Sequence, residues 1–436
     1  MPSKTFRGGV HTPHFKGLCA SEAIVTLPPP DQVVIPLVQH LGAPCEALVA
    51  KGDSVALGQV IGDSDAFVSA PVHATVSGVV HSLASALLPD GRRVPAVVID
   101  SDGEERWDES IKPAGNLDDL SAEDIKQIMR KAGLVGLGGA VFPTHVKYSP
   151  PAHAKVHTII LNGCECEPFL ACDHRIMLEE FEDVIFGLKA MMKAAGATHG
   201  IIGIEDNKPD AIEAFQEATK DTPFEVVPLQ VKYPEGAERQ LISAIMGVEV
   251  PSGGLPFDIG VIVNNVGTAL ALAYAIQTGR PLVERVVTVS GDLVVRPANY
   301  RVRIGTPIRM LFEASGGFKE APARIVSGGP MMGLAQYDLD APVVKATSGL
   351  LALSAELVRD VDEEPCIRCA RCVHACPAFL MPLKIAQYPH ESALDYHPMD
   401  CIECGSCSYI CPANRRLLER IRLAKAETQA RQRAAE

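Results

Sequence analysis

The stretch that decides the fold lies near the carboxyl end of the chain and reads Cys366-Ile367-Arg368-Cys369-Ala370-Arg371-Cys372-Val373-His374-Ala375-Cys376-Pro377. The same cysteine spacing recurs 35 residues later as Cys401-x2-Cys404-x2-Cys407-x3-Cys411-Pro412. In such a repeat three cysteines bind one 4Fe–4S cluster, and the cysteine before proline reaches across to the other cluster. The spacing therefore predicts two clusters, one held by Cys366, Cys369, Cys372 and Cys411 and the other by Cys376, Cys401, Cys404 and Cys407.

Structural zinc is the alternative for these cysteines, because zinc also takes four thiolates, usually from paired Cys-x2-Cys hairpins. Two complete runs that each end in Cys-Pro favour iron–sulfur clusters instead. Clusters held only by cysteine transfer single electrons. This end of the chain therefore indicates electron transfer.

Composition narrows the class of protein. The chain has 436 residues, 13 of them cysteine, and a net charge of −13 from 40 Lys+Arg and 53 Asp+Glu. The acidic balance argues against a nucleic-acid partner, and the length argues against a small disulfide scaffold. Nothing in the sequence has the pattern of a secretory signal or a membrane-spanning helix, so we expect a reducing cytoplasmic compartment and membrane association only through partners.

Apolar runs, turn residues, the cysteine repeat and a resemblance to biotinyl domains together predict a multidomain α/β and α+β protein with four domains. They are an N-terminal barrel-sandwich (biotinyl-like) domain over 1–112, a Rossmann-like α/β domain over 113–282, a β-grasp domain over 283–355, and a two-cluster ferredoxin domain with a C-terminal helix over 356–436. In the first domain, 51–61 and 69–78 resemble the hammerhead of biotinyl and lipoyl domains. The connecting segment 62–68 contains no lysine for attachment of a prosthetic group, so we expect a structural barrel.

The second zone alternates predicted strands and helices, which indicates a sheet with crossover connections. We expect strands over 157–161 and 200–204 and helices over 118–132, 177–195 and 210–219.

A glycine-rich segment lies inside this zone and reads Gly136-Leu137-Gly138-Gly139-Ala140-Val141-Phe142-Pro143-Thr144-His145-Val146-Lys147. Closely spaced glycines let backbone amides approach a phosphate, and Lys147 would supply a positive charge. A turn that merely packs is the alternative for the segment by itself. The sequence Asn162-Gly163-Cys164-Glu165-Cys166-Glu167-Pro168 follows a predicted strand, and α/β sheets bind ligands at that end of their strands.

Two further segments, 233–238 and 264–268, complete a pattern that resembles the NADH- and flavin-binding subunit of respiratory complex I. The segments 6–11, 205–212 and 328–333 and the double cysteine motif make the resemblance closer to the RnfC subunits of Rnf complexes. Those complexes are membrane-bound, ion-translocating oxidoreductases that work between ferredoxin and NAD. The resemblance extends over about residues 6–415.

This resemblance implies sites for FMN and NADH. The positions that match residues holding FMN and its phosphate are Gly136, Gly138, Lys147, Asn162, Asn264, Asn265 and Thr268. Those that match carboxylates near the flavin and NADH are Glu165, Glu167 and Glu238, and Phe142 matches an aromatic residue of the glycine-rich loop. Leu137, Cys164 and Ala237 stand where complex I has Arg, Asp and Glu. The resemblance also implies that the β-grasp domain is of the SLBB (soluble ligand-binding) type.

A flavin converts the hydride of NADH into single electrons, which iron–sulfur clusters can carry. We therefore expect a peripheral, NADH-side electron-transfer subunit of an Rnf-type translocase, on the cytoplasmic face of a bacterial inner membrane and bound to other membrane subunits. No catalytic nucleophile or general base is expected. Two alternatives stay open, a soluble flavin and iron–sulfur cobalamin reductase and an iron–sulfur relay subunit without flavin. The basic stretch 415–425 is expected to be a helix packed on the ferredoxin domain, and Cys164, Cys166 and Cys172 are expected to be buried thiols.

Overall fold

The computed structural model describes residues 2–151, 154–358, 361–387 and 395–435. Its strands form one six-stranded sheet, two four-stranded sheets and one three-stranded sheet. Among the described residues, no helix combines the length and the apolar character needed to cross a membrane.

The N-terminal part of the chain contains eight short strands. Their bounds are β1 (Ile24–Thr26), β2 (Gln32–Pro36), β3 (Glu46–Ala47), β4 (Ser54–Val55), β5 (Val60–Asp63), β6 (Val72–His73), β7 (Gly78–Leu87) and β8 (Arg93–Ser101). A sheet of order β2-β8-β7-β4 faces a sheet of order β3-β5-β6. Alternate residues point inward, and Val33, Ile35, Val97 and Ile99 are fully buried in the core between the sheets. This is the predicted barrel-sandwich domain.

The second domain is built around a parallel sheet. Its elements are α1 (Ala122–Lys131), α2 (Thr144–Lys147), β9 (Thr158–Gly163), α3 (Cys172–Glu179), α4 (Phe181–Ala195), β10 (His199–Glu205), α5 (Pro209–Ala218), β11 (Phe224–Leu229), α6 (Glu238–Met246), β12 (Val261–Asn265) and α7 (Val266–Gln277). The strand order is β11-β10-β9-β12, with every neighbouring pair parallel. The chain runs from β9 outward to β11 and then returns to the other side of β9. The order therefore reverses between β9 and β12, and ligands bind at such a switch point in open α/β sheets.

The prediction of one continuous helix over 177–195 is wrong. The structure contains two helices, α3 and α4, with a break at Glu180, whose φ is −130° and ψ is 24°. The Glu180 carboxylate accepts hydrogen bonds from Arg301 Nη2 at 2.5 Å and from the Tyr274 hydroxyl at 2.9 Å. These partners lie far along the chain, so local periodicity could not indicate the break.

The third domain is a mixed six-stranded sheet with one helix. Its elements are β13 (Glu284–Ser290), β14 (Ala298–Arg303), α8 (Ile308–Ala314), β15 (Arg324–Ser327), β16 (Leu334–Gln336) and β17 (Gly349–Leu353). The order is β1-β14-β13-β17-β15-β16, so β1 from the N-terminal segment forms its edge strand. Earlier residues of that segment pair with the second domain, Lys4 with Leu229 and Val10 with Tyr233. The N-terminal segment therefore contacts the second and third domains before the chain enters the barrel.

The last domain contains the cysteine repeat, with Cys372 and Cys407 on helices and the other six cysteines in loops. Its helices are α9 (Arg371–Ala375), α10 (Pro382–Ile385), α11 (Ser406–Tyr409) and the long α12 (Leu417–Ala435). Leu417, Ile421 and Ala424 of α12 are buried against Ile385 and Cys407. The prediction that the C-terminal helix packs on the ferredoxin domain is confirmed.

Candidate functional site

The glycine-rich loop lies beside the switch point of the parallel sheet. Gly136 N donates to Phe142 O at 2.9 Å, which closes the loop, and Leu137 N donates to Thr268 Oγ1 at 2.9 Å. The tip residues 138–140 are exposed. Within the described part of the chain, their N–H groups have no hydrogen-bond acceptor. The loop therefore offers a row of backbone donors, as a phosphate site requires.

The backbone of the loop tip lies close to the end of β12. A Cβ atom added at Gly138 would lie 3.3 Å from Asn265 Cβ, which leaves little room for a side chain. Asn265 caps α7, because its Oδ1 accepts from Gly267 N at 2.8 Å. The positive end of the α7 dipole thus lies at the same crevice as the loop, and both features favour an anion.

Two charged side chains meet at this crevice. Lys147 Nζ donates to Glu238 Oε1 at 2.6 Å and to Val263 O at 2.5 Å. The Lys147 and Glu238 side chains are 29% and 39% exposed. An ion pair with this much solvent contact contributes little stability, so Lys147 can exchange Glu238 for an anionic ligand at little cost.

The amide side chains of the two strand ends orient the surrounding loops. Asn162 at the end of β9 donates from Nδ2 to Gly236 O at 2.7 Å and accepts at Oδ1 from Cys164 N at 3.1 Å. Asn264 on β12 donates from Nδ2 to the buried Tyr148 hydroxyl at 2.7 Å. The two loops that follow β9 and β11 are therefore connected through Asn162.

Glu165 is a buried carboxylate, and only one of its oxygens accepts a hydrogen bond from the described residues. Its side chain is only 3% exposed, and its Oε1 accepts from Asp173 N at 2.7 Å. Its Oε2 lies 3.7 Å from Lys16 Nζ and has no hydrogen-bond partner among the described residues. A buried acceptor without a partner is costly, so this oxygen fits a ligand that donates a hydrogen bond.

Glu167 is engaged by the third domain. Its two oxygens accept from Met331 N at 2.9 Å and from Met332 N at 2.8 Å. Burial raises its pKa to about 7, although both backbone amides act to lower the pKa. Of the three predicted carboxylates, Glu165 and Glu238 thus keep oxygens for a ligand, whereas both oxygens of Glu167 hold the 329–333 loop.

One set of four cysteines, which we call the inner quartet, lines a common cavity. It consists of Cys376, Cys401, Cys404 and Cys407, and the cavity of about 20 Å³ is otherwise lined mainly by apolar side chains such as Ile385, Leu418 and Ile421. Burial and, to a smaller extent, the other three thiols together raise the pKa of Cys407 to about 12. Four thiols around one apolar cavity fit a 4Fe–4S cluster.

The other four cysteines, the outer quartet, lie nearer the surface. Cys366 and Cys369 are exposed, and Cys372 and Cys411 are half-buried. Burial raises the pKa of Cys372, and the nearby Cys411 thiol raises it further. The structure therefore places Cys376 with the cysteines of the second repeat and Cys411 near Cys372 of the first repeat, and the crossed assignment of the clusters stays a prediction.

The two cysteine loops have the same backbone. Arg368 and Ala370 have φ values of 54° and 59°, and the equivalent positions Glu403 and Gly405 have 57° and 76°. Left-handed residues at equivalent positions therefore bend the two loops in the same way.

The loops around the crevice contact the inner quartet directly. The Tyr233 hydroxyl donates to Cys404 O at 2.8 Å, and Tyr233 is 2% exposed. Tyr233 packs with Val10, Ala375 and Cys404, and Cys166 packs against this group. The crevice loops and the inner quartet are therefore parts of one packed unit.

Four family profiles match the chain. They describe an RnfC barrel sandwich hybrid domain (residues 4–104), a Nuo51 FMN-binding domain (129–274), an SLBB domain (286–335) and a 4Fe-4S dicluster domain (365–415). They confirm the predicted fold class of each part of the chain.

Curated relatives match over almost the whole length. The chain is 49% identical over 434 residues to a subunit of the Na(+)-translocating ferredoxin:NAD(+) oxidoreductase complex of Acetobacterium woodii, and the match covers 98% of both chains. It is 48% identical to the proton-translocating counterpart of Clostridium ljungdahlii, with 98% of this chain and 94% of the relative covered. This chain belongs to the RnfC family. The prediction from its motifs is confirmed.

Among solved structures, the RnfC chain aligns with an NAD+-reducing [NiFe]-hydrogenase in the air-oxidized state. The alignment covers 63% of this chain and 56% of that one, with 20% identity and a TM-score of 0.48.

Three further residues form hydrogen bonds to the loops around the crevice. The motifs did not indicate them. Asp173 accepts from Asn265 Nδ2 at 2.6 Å, and burial together with the Glu165 charge raises its pKa to about 6. Arg285 on β13 is buried and donates from Nη2 to Leu137 O at 3.2 Å. Lys16 donates to the carbonyl oxygens of Glu165, Glu167 and Leu170 at 2.6, 3.0 and 2.6 Å. Lys16 and Arg285 act from distant parts of the chain, so spacing gave no signal for them, and Asp173 follows the motif but contacts Asn265, 92 residues later.

The three departures from the complex I pattern have clear structural places. Leu137 is 5% exposed and packs in the core of the second domain. Cys164 is fully buried, and burial raises its pKa, so it is an inert thiol as predicted. Ala237 precedes α6 and supplies no side-chain cap. The nearby Glu235 is buried, accepts from Thr5 Oγ1 at 3.1 Å and has a pKa raised to about 8 by burial.

Proposed function

We propose that this chain is the NAD(H)-side electron-transfer subunit of an ion-translocating ferredoxin:NAD(+) oxidoreductase complex. The observation that carries the proposal is the contact between Tyr233 and Cys404, which joins the crevice loops to the inner quartet. A site for hydride transfer and a site for single-electron transfer can exchange electrons only if they lie close together. The names of the curated relatives support the same activity.

In this proposal FMN binds at the switch point between β9 and β12. The free N–H groups of 138–140, the α7 N-terminus and Lys147 would hold its phosphate. Thr268 would act through the loop, because its hydroxyl accepts from Leu137 N. Asn162 and Glu165 would face the rest of the flavin, with Glu165 Oε2 as an acceptor.

When bound, FMN would take hydride from NADH and release its two electrons one at a time. Glu165 and Glu238 are the carboxylates that keep oxygens for hydrogen bonds to the nucleotide. Phe142 is half-buried and closes the loop through its carbonyl, so its contribution would be to the shape of the loop. Glu167 would act indirectly, by holding the 329–333 loop against the crevice.

The two quartets would hold the 4Fe–4S clusters in a fixed order. The inner quartet adjoins the flavin-side loops, whereas the outer quartet has exposed cysteines. The inner quartet would therefore exchange electrons with the flavin side, and the outer quartet with other subunits.

The location follows from the same proposal. The chain would lie on the cytoplasmic face of a bacterial inner membrane, where NADH is present, and would be attached through the other subunits of the complex. The curated relatives are subunits of translocating complexes, which supports this placement.

The test is anaerobic purification and reconstitution, followed by analysis of iron and flavin. We expect about eight iron atoms and one flavin per chain. Clusters without flavin after incubation with FMN would favour the relay alternative. Reduction of cob(II)alamin by NADH at a rate that exceeds reduction of the partner subunits would favour the cobalamin reductase alternative.

A further inference from the structure

The loop of the outer quartet carries an exposed apolar side chain between two exposed cysteines. Ile367 is 68% exposed, and it is flanked by Cys366 and by Arg368, which is also exposed. Single exposed apolar residues are common. This one, however, lies beside the quartet through which electrons leave or enter the chain in the proposed function. An apolar anchor with a polar rim is the usual make-up of a protein interface.

Basic side chains surround this loop. Arg368, Arg371 and Arg416 are exposed and Lys384 is half-buried. They lie on neighbouring segments, because Glu364 N donates to Ala413 O at 3.0 Å, which joins the segment before Cys366 to the segment after Cys411, and because α10 packs against α9. The chain as a whole carries a net charge of −13, so this basic face is opposite in sign to the net charge of the chain.

These four cations form no ion pair within the part of the chain that the structure describes. The basic residues of the C-terminal helix behave differently. Arg420 contacts Glu363 at 2.6 Å, and Lys425 contacts Glu403 at 2.6 Å. The basic residues of the helix therefore form ion pairs within the domain, whereas those around the outer quartet remain available to a partner. The acids nearby are Asp362, Glu363 and Glu364; Glu363 is already paired with Arg415 and Arg420, which leaves two exposed acids against the four cations.

We propose that the face formed by Ile367, Arg368, Arg371, Lys384 and Arg416 docks an acidic, electron-carrying protein surface of another subunit. This inference rests on the proposed function, since it takes the outer quartet as the point where electrons leave or enter. Anionic lipid would also be attracted to four cations. A lipid accepts no electrons, however, and the face surrounds the exposed cysteines, so a protein with a one-electron centre is the occupant that the geometry favours.

Charges at the rim of such an interface steer association and make it depend on salt, and the apolar side chain adds affinity once docked. The double reversal Arg368→Glu/Arg371→Glu should weaken docking at low salt by roughly tenfold or more. Raising the ionic strength should weaken docking of the wild-type chain and narrow the difference from the variant.

The experiment measures rebinding of the purified, reconstituted chain to inverted membrane vesicles from cells that make the complex without this chain. The matched control is Lys51→Glu/Arg93→Glu, which reverses two exposed charges on the barrel. We expect wild type and control to bind alike and the Arg368/Arg371 variant to bind poorly. Equal binding of all three would overturn the proposal, and so would equally tight, Arg368/Arg371-dependent binding to protein-free vesicles of anionic phospholipid.

A second variant tests the same face without reversing a charge, in case the charge reversal prevents correct folding. Arg371→Lys keeps the charge and adds an amine that carbodiimide can join to a carboxylate. We expect one salt-sensitive cross-link from residue 371 to a partner subunit, and no cross-link to any subunit would contradict the proposal. Iron content, flavin content and NADH-dependent flavin bleaching are measured on every variant. Loss of bleaching in the wild-type chain would count against the proposed function, whereas normal bleaching with unchanged docking would count only against the docking face.

Discussion

The hydroxyl of Tyr233 donates a hydrogen bond to the backbone carbonyl of Cys404 across a domain boundary, with 2.8 Å between the oxygen atoms. Tyr233 belongs to the loop that leads into α6, and Cys404 to the inner quartet. The hydrogen bond is buried, and the tyrosine ring fills the space between the two domains. This contact joins the loop that leads into α6 to the inner quartet.

Tyr233→Phe should keep the ring and remove the hydrogen bond. The Cys404 carbonyl would then lack its buried donor, at a cost of about 1–2 kcal/mol in the free energy of unfolding. We expect cluster reduction by NADH to slow several-fold while flavin bleaching keeps its rate, as measured by stopped-flow absorbance. Unchanged cluster reduction would show that the contact is only structural. Tyr337→Phe is the control, because Tyr337 is 80% exposed.

The crossed assignment of the cysteines predicts which variants share a phenotype. Cys376→Ser and Cys404→Ser should both perturb or lose the inner cluster, and Cys366→Ser and Cys411→Ser should both affect the outer one. Each loss lowers the iron content from about eight to about four atoms per chain. Electron paramagnetic resonance of the reduced variants checks the pairing. If Cys376→Ser removed the same signal as Cys366→Ser, the uncrossed assignment would be correct.

Lys147→Gln should weaken FMN binding, because it removes the positive charge proposed to face the phosphate. The expected loss in affinity is about tenfold or more, given that a charge-assisted hydrogen bond contributes roughly 1.5–3 kcal/mol. Titration of the flavin-free chain with FMN, followed by flavin fluorescence, measures the effect. Lys189→Gln, on the exposed side of α4, is the matched control and should bind FMN like wild type. Equal affinity of both variants would place the phosphate elsewhere.

The raised pKa of Glu167 predicts a pH dependence of stability. Burial raises it from 4.5 to about 7, so between these values the carboxyl ionises in the unfolded chain but stays protonated in the folded one. The folded state therefore loses stability as pH rises from about 4.5 to 7, by up to roughly 3 kcal/mol.

Glu167→Gln removes this titration. The stability of the variant relative to wild type should therefore improve as pH rises through this window, on top of a constant offset for the altered hydrogen bonds. Chemical unfolding of both proteins at several pH values measures the difference. A difference that does not change with pH would mean that Glu167 is ionised in the folded chain throughout.

The sequence predicted those features that depend on short spacing. The crossed quartets follow from the x2-x2-x3 pattern, and the crevice follows from the strand ends at Asn162 and Asn265. It could not predict features that depend on distant partners. The helix breaks at Glu180, whose carboxylate accepts hydrogen bonds from Arg301 and Tyr274. Glu167 matched a ligand-site carboxylate by motif, but the structure joins both its oxygens to Met331 and Met332, more than 160 positions away.

The N-terminal segment gives a second example. Lys16 donates three hydrogen bonds to the loop around Glu165, and β1 pairs with a strand 275 residues later. No local pattern encodes these contacts, because the partners are selected only when the domains pack together.

The most direct test of the proposed electron path mixes the anaerobic, reconstituted chain with NADH and follows flavin absorbance and cluster signals in time. We predict that the flavin bleaches first, that the inner cluster is reduced next, and that Cys366→Ser leaves both events intact. Cluster reduction without any change in flavin absorbance would contradict this path, as would a fully loaded chain that NADH does not reduce.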